Sequence, residues 1–163
     1  MGQAIDTGGV ADHRKLRFNN IDELLAEIDR VVSADQAGAL RRTGNWSAGQ
    51  IFGHLATWIN YGWEGYPMKV PWFVRWYLKR IGKRFIHEGM PQGVRIPKVE
   101  AGTYGTDVIA TQDGAQRLRR ALERLKQDEP PKFDSPAFGP MSLDDRVSLN
   151  LRHAELHLGY LHP

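Results

Sequence analysis

Ser142-Leu-Asp-Asp-Arg-Val-Ser-Leu-Asn-Leu-Arg-His-Ala-Glu-Leu-His-Leu158 carries a helical period from its first residue to its last. Ser142 is a helix N-cap with Asp145 in the capping position three residues on. Val147, Leu151, Ala154, Leu158 and Leu161 then recur at steps of three and four, which predicts a helix running to the end of the chain. His153 and His157 are four residues apart, just over one turn, so both imidazoles leave the same face. That is the geometry of a bidentate metal clip. Glu155 is two residues from each and points to the other side; a zinc-protease helix needs the Glu at 154, where Ala stands. Glu155 is expected to pair with Arg152 on the surface or to reach across to a neighbouring helix.

Three more segments carry the same period. Asn20, with Glu23 three residues on, opens a helix through Leu24, Leu25, Ile28 and Val32. Ser47 and Gln50 form a capping-box pair ahead of Ile51, Leu55, Trp58 and Ile59. A helix after Thr111 carries Leu118, Ala121, Leu122 and Leu125, and Pro130-Pro131 stops it. Alternating strand patterns are scarce, so the reading is all-α. Between the second and third helices lies a long irregular stretch, Gly65 to Ala110. Pro71 to Ile86 is expected to form one or two short helices, and Gly89 to Thr106 is too punctuated by Pro and Gly for any. Four main helices with one long connection, and no internal repeat, describe a bundle.

The 163 residues, 41% hydrophobic and 25% charged, make one domain with a real core. Residues 1–18 read as a flexible lead and 19–163 as the single domain. Met1 to Asp12 is Gly-rich and polar, unlike a signal peptide. No apolar run approaches a membrane span, so a cytoplasmic protein is expected. Twenty-two Lys and Arg against nineteen Asp and Glu do not call for nucleic acid. Cysteine is absent, which removes disulfides, thiolate ligands and a Cys nucleophile, so any metal rests on His, Asp or Glu.

His54 is the candidate third ligand. Trp46, Gln50, His54, Trp58 and Tyr61 share one broad face of the second helix, more polar and aromatic than a pure core. Taken alone, a helical His is more often a satisfied or solvated side chain. If this face meets that of His153 and His157, three neutral imidazoles leave a divalent metal with open positions, as catalytic sites require. Zn, Ni, Cu and Fe all suit such a donor set. Asn150, one turn before His153, and Tyr61 are candidates for orienting a substrate.

Asn45-Trp-Ser-Ala-Gly-Gln-Ile-Phe-Gly-His-Leu-Ala56, Ser135-Pro-Ala-Phe-Gly-Pro-Met-Ser142 and the terminal His-Ala-Glu-Leu-His together resemble the DinB/YfiT-like superfamily, specifically one of its subfamilies of unknown function. The resemblance runs from Arg17-Phe18 to Leu161. Its most specific parts are Trp-Ser-x-x-Gln-x-x-x-His-Leu and His-x-x-x-His. It implies a four-helix bundle in up-down-down-up order with a long crossover, often dimeric, and a three-His metal site mapping onto His54, His153 and His157. It also implies a small-molecule substrate, since relatives include transferases and isomerases that use a low-molecular-weight thiol, and metal-dependent hydrolases. Subfamily members often carry His before the Pro of the Pro-x-Phe-Gly run; Ser135 stands there in this chain, which puts any substrate-handling role of that position in doubt.

Pro71 to Ile86 mixes aromatics with Arg75, Lys79, Arg80, Lys83 and Arg84. An interfacial membrane helix or a nucleic-acid contact is one reading. The preferred one packs Trp72, Trp76 and Ile81 onto the bundle with the cations solvated, Arg75 or Lys79 standing at a pocket mouth to attract an anion. Gly89-Met-Pro-Gln-Gly93 and Ala101-Gly-Thr-Tyr-Gly105 lack the phosphate-loop spacing and read as turns, or as a lid. The expectation is a divalent-metal-dependent enzyme of thiol-transferase or hydrolase type. The competing class is a non-catalytic binding module or dimeric scaffold with a structural or vestigial metal.

Overall fold

The computed structural model describes residues 7–96, 99, 102–127 and 130–163, apart from the side chain of Lys83. Met1 to Asp6, the start of the N-terminal lead, lie outside the described residues, as does Ala101 of the second Gly-rich turn. The chain is mostly helical: α1 (Ile21–Gln36), α2 (Ala48–Glu64), α3 (Trp72–Glu88), α4 (Thr111–Lys126) and α5 (Leu143–Leu158). A two-residue strand β1 (Arg41–Arg42) pairs antiparallel with β2 (Leu161–His162).

The caps follow the sequence. The side chains of Asn20, Ser47 and Ser142 accept from the backbone N–H groups of Glu23, Gln50 and Asp145. Ser47 and Gln50 complete the capping box in both directions. At α1 the Glu23 carboxylate instead takes the Asn19 N–H at 2.8 Å, so two successive Asn residues serve one helix end.

Leu24 and Ile28 of α1, Phe52 and Leu55 of α2, Leu118 and Leu122 of α4, and Leu158 of α5 meet in one buried cluster. The closest helix pair is α2 on α4. Glycines permit it: a Cβ on Gly49 would stand 2.1 Å from the Ile109 carbonyl oxygen, and one on Gly114 would stand 2.6 Å from that of Gly49. α1 lies against α4 and α5, and α2 also reaches α5.

α5 stops three residues before Leu161, where the periodicity carried it to the end. Gly159 lies so close to His13 and Arg14 that a Cβ would meet the His13 ring at 2.2 Å, and Leu161 enters β2. The backbone of Arg14 donates to Gly159 O at 2.8 Å and His13 Nε2 lies 2.8 Å from Leu156 O, so this part of the lead runs against the end of α5.

Two further expectations are corrected. Of the one or two short helices expected within Pro71 to Ile86, a single one forms, but it is long: α3 has 17 residues and packs on α5. Its inward stripe is Val74, Leu78, Gly82 and Ile86 at four-residue steps; Trp72 and Trp76 sit two residues off that stripe and are 80% and 60% exposed. The tryptophans therefore do not cover the helices, although Arg80 stacks on Trp76 at 5.2 Å.

Glu155 does pair with Arg152, at 2.7 Å, but inside the protein: both are buried, and Glu155 Oε1 also accepts the Phe18 N–H at 2.6 Å. Arg152 in turn donates to Phe18 O. Glu155→Ala, which leaves that guanidinium buried and unpaired, is expected to cost about 3–5 kcal/mol. A urea titration checks this, and a midpoint matching the parent's contradicts it.

Candidate metal centre

The capping box fixes where α2 begins, and so the turn on which His54 sits. His54 is 1% exposed and its Nδ1 lies 2.8 Å from Tyr104 O. A carbonyl only accepts, so Nδ1 carries the proton and Nε2 offers a bare lone pair. This is the arrangement that orients metal-ligating imidazoles. Tyr104 comes from the irregular stretch between α3 and α4. Its carbonyl reaches α2 because the next residue, Gly105, takes φ +72°, and a Cβ there would strike Thr57 at 2.9 Å. Gln50 Nε2 donates to Thr106 O at 3.3 Å, which holds the same segment down.

His153 and His157 come to this point from α5. His153 Nε2 lies 3.2 Å from His54 Nε2 and 3.1 Å from His157 Nε2, and the three ligand atoms fall within 4.8 Å of one another. Nitrogens bound at about 2.0–2.1 Å around a tetrahedral metal stand roughly 3.3 Å apart, which matches both spacings. Without a cation the contacts conflict. His54 Nε2 has no proton to give, and His153 Nε2 can carry only one for two neighbours. One divalent ion satisfies all three lone pairs, so these residues fit a metal.

The surroundings are aromatic. Trp46 stacks on His157 at 5.3 Å with 11° between the planes, and Trp58 sits edge-on to His153 at 5.9 Å and to His54 at 6.0 Å. Burial holds the His54 imidazole down at about 4, against the Tyr104 hydrogen bond, which works to raise it. Burial, and the neighbouring imidazoles, push His153 and His157 well below the ordinary value. All three imidazoles are neutral at pH 7.

Acid is therefore expected to destabilise the metal-free protein. Between 6.5 and about 4, the unfolded chain takes up a proton at His54 that the folded chain refuses. Stability is full above that window and falls as pH falls through it, by up to about 1.4 kcal/mol per pH unit for that side chain. His153 and His157 act in the same direction. Melting the metal-free protein at pH 7 and pH 5 checks this, and equal midpoints contradict it.

The three histidines line a cavity of about 1420 Å³. Phe138 of the Pro-Ala-Phe-Gly-Pro run lines it too, in a tight turn closed by Gly139 N–H to Ser135 O at 2.8 Å. Asn150 also lines it, with Nδ2 donating to Arg146 O at 2.9 Å. Tyr61 is not among the lining residues; its ring packs against Trp58 and Tyr66. Arg75 and Lys79 lie beside Gly139 and not in the lining, whose cations among the described residues are Lys69, Arg95 and Arg146. Among the described residues, no helix is long and apolar enough to cross a membrane.

No curated protein and no solved structure matches the chain. A family model described as a protein of unknown function, DUF1569, matches residues 10–163, which takes in both helices that carry the histidines. With nearly all of its length matched, the chain belongs to the DUF1569 family.

Proposed function

We propose that this is a DinB-like metal-binding protein, its α1, α2, α4 and α5 forming the four-helix bundle in up-down-down-up order. His54, His153 and His157 hold one divalent ion, Zn, Ni or Fe. The protein acts as a metal-dependent enzyme on a small molecule, of thiol-transferase or hydrolase type. The observation that carries this reading is the gathering of three imidazole nitrogens within 4.8 Å of one another in the wall of a large cavity. A purely structural zinc site closes its coordination with four protein ligands, whereas three leave a position open.

Bound there, a divalent cation lowers the pKa of a thiol or water at its open position and so supplies thiolate or hydroxide at neutral pH. The chain contributes the rest. Tyr104 O fixes the His54 tautomer, Trp46 and Trp58 pack against the imidazoles, and Asn150 lines the cavity beside them. With no cysteine in the sequence, a thiol must come from a cofactor or substrate.

Cobalt(II) substitution tests the open position. Titrating the cobalt protein with free cysteine as the thiol probe is expected to produce a sulfur-to-cobalt charge-transfer band in the near ultraviolet. A cobalt spectrum that neither thiol nor azide alters means a closed centre and overturns the enzymatic reading.

A further inference from the structure

The histidines are a small part of the cavity wall, and the remainder carries a pattern of its own. Among the described residues, no Asp or Glu lines the cavity, while Lys69, Arg95 and Arg146 do. Four buried side-chain nitrogens among the described residues lack a hydrogen-bond partner. Three of them, Trp58 Nε1, Trp63 Nε1 and Arg146 Nε, belong to residues lining this cavity. All three are N–H donors sunk within the wall, each with no acceptor beside it.

Arg146 is the most telling of them. It is 8% exposed, and the carboxylate nearest in charge contact, Asp134, stands 3.9 Å away with its side chain largely in solvent. Its Nη2 donates to Phe133 O at 3.0 Å, and the guanidinium also hydrogen-bonds the Tyr66 hydroxyl, both neutral acceptors. A buried guanidinium with so little compensation is an anion seat in waiting, and its planar fork suits a carboxylate.

Its position adds a length. Arg146, Asn150, His153 and His157 follow at steps of four, three and four residues, one face of α5. From Arg146 to His153 is seven residues, about 10 Å along the axis at roughly 1.5 Å each.

We propose that the cavity binds an amphiphilic carboxylate, its anionic end at Arg146, its apolar body along the wall, and its far end at the three-histidine cluster two helical turns away. The far-end assignment rests on the metal-centre reading; the anion seat stands on Arg146 and the tryptophans alone. An extended alkyl chain covers about 10 Å in roughly eight bonds, so an eight-carbon acid fits.

Two arms separate the claims. On the metal-free protein, octanoate is expected to bind at least tenfold more tightly than octanol by calorimetry, and Arg146→Gln to erase that preference. Arg146→Lys should restore part of it, and melting curves of both variants report folding. On the zinc-loaded protein, mercaptooctanoate is expected to outbind both mercaptooctanol and mercaptopropionate, with zinc content unchanged in Arg146→Gln. Equal affinity of acid and alcohol for the parent protein, or a preference that survives in folded Arg146→Gln, overturns the anion seat. Should Arg146→Gln not fold, the parent's acid-to-alcohol ratio and the Arg146→Lys variant still decide. A carboxylate preference without any gain from the thiol sinks the far-end assignment, and with it the thiol form of the metal reading, but leaves the seat standing.

Discussion

His153→Ala is expected to abolish metal binding. Its Nε2 lies between the other two, 3.2 Å from His54 and 3.1 Å from His157, so its loss leaves two ligands on different helices. Loss of a supporting hydrogen bond alone lowers affinity about 10–100-fold, and removal of the central ligand should exceed that. Competition with a chromophoric chelator measures it. His87→Ala, an exposed histidine near the end of α3, is the control and should bind metal like the parent. Equal affinity of His153→Ala and the parent would mean that the ion, if any, sits elsewhere.

Gly49→Ala is expected to be the most damaging small change to the fold. The added methyl would stand 2.1 Å from Ile109 O and 2.8 Å from Ala110 C, and backbone cannot swing aside as a side-chain tip can. Either α2 moves off α4 or the Ile109–Ala110 segment shifts. Overpacking of this kind costs about 3 kcal/mol, more where nothing relaxes. His54 rides on α2 five residues further on, so metal affinity should fall with stability. Thermal melting and chelator competition on the same sample check both. A melting temperature within experimental error of the parent contradicts the close helix approach.

How far the sequence carried the site depends on what kind of group does the work. Helices and caps were legible because Asn20, Ser47 and Ser142 act through neighbours three residues away, and the apolar period reports burial directly. His153 and His157 were legible as same-face spacing on one helix, whereas spacing left His54 a conditional third and the family resemblance supplied the full set. The Tyr104 carbonyl was not, since a backbone oxygen carries no residue signature and its reach depends on the turn at Gly105. The orientation of α3 is not legible in the sequence, because its large aromatics outweigh the residues that pack. The smaller Val74, Leu78 and Gly82 pack instead, and Gly82 lets Phe138 approach closer than any side chain allows. The burial of Glu155 was hidden for a related reason. Its partners, Phe18 N and Arg152, meet it only after the N-terminal segment folds back across 137 residues of sequence. Arg146 reads in the sequence as an ordinary first-turn charge; only the cavity distinguishes it.

The central claim is that three imidazoles make one metal centre. Anomalous diffraction from crystals of tag-free protein, purified without chelator, tests it most directly. One peak per chain is expected, about 2.0–2.1 Å from each of the Nε2 atoms of His54, His153 and His157, with its remaining coordination open to the cavity. The same crystals soaked in zinc and showing no peak among the three histidines would contradict it.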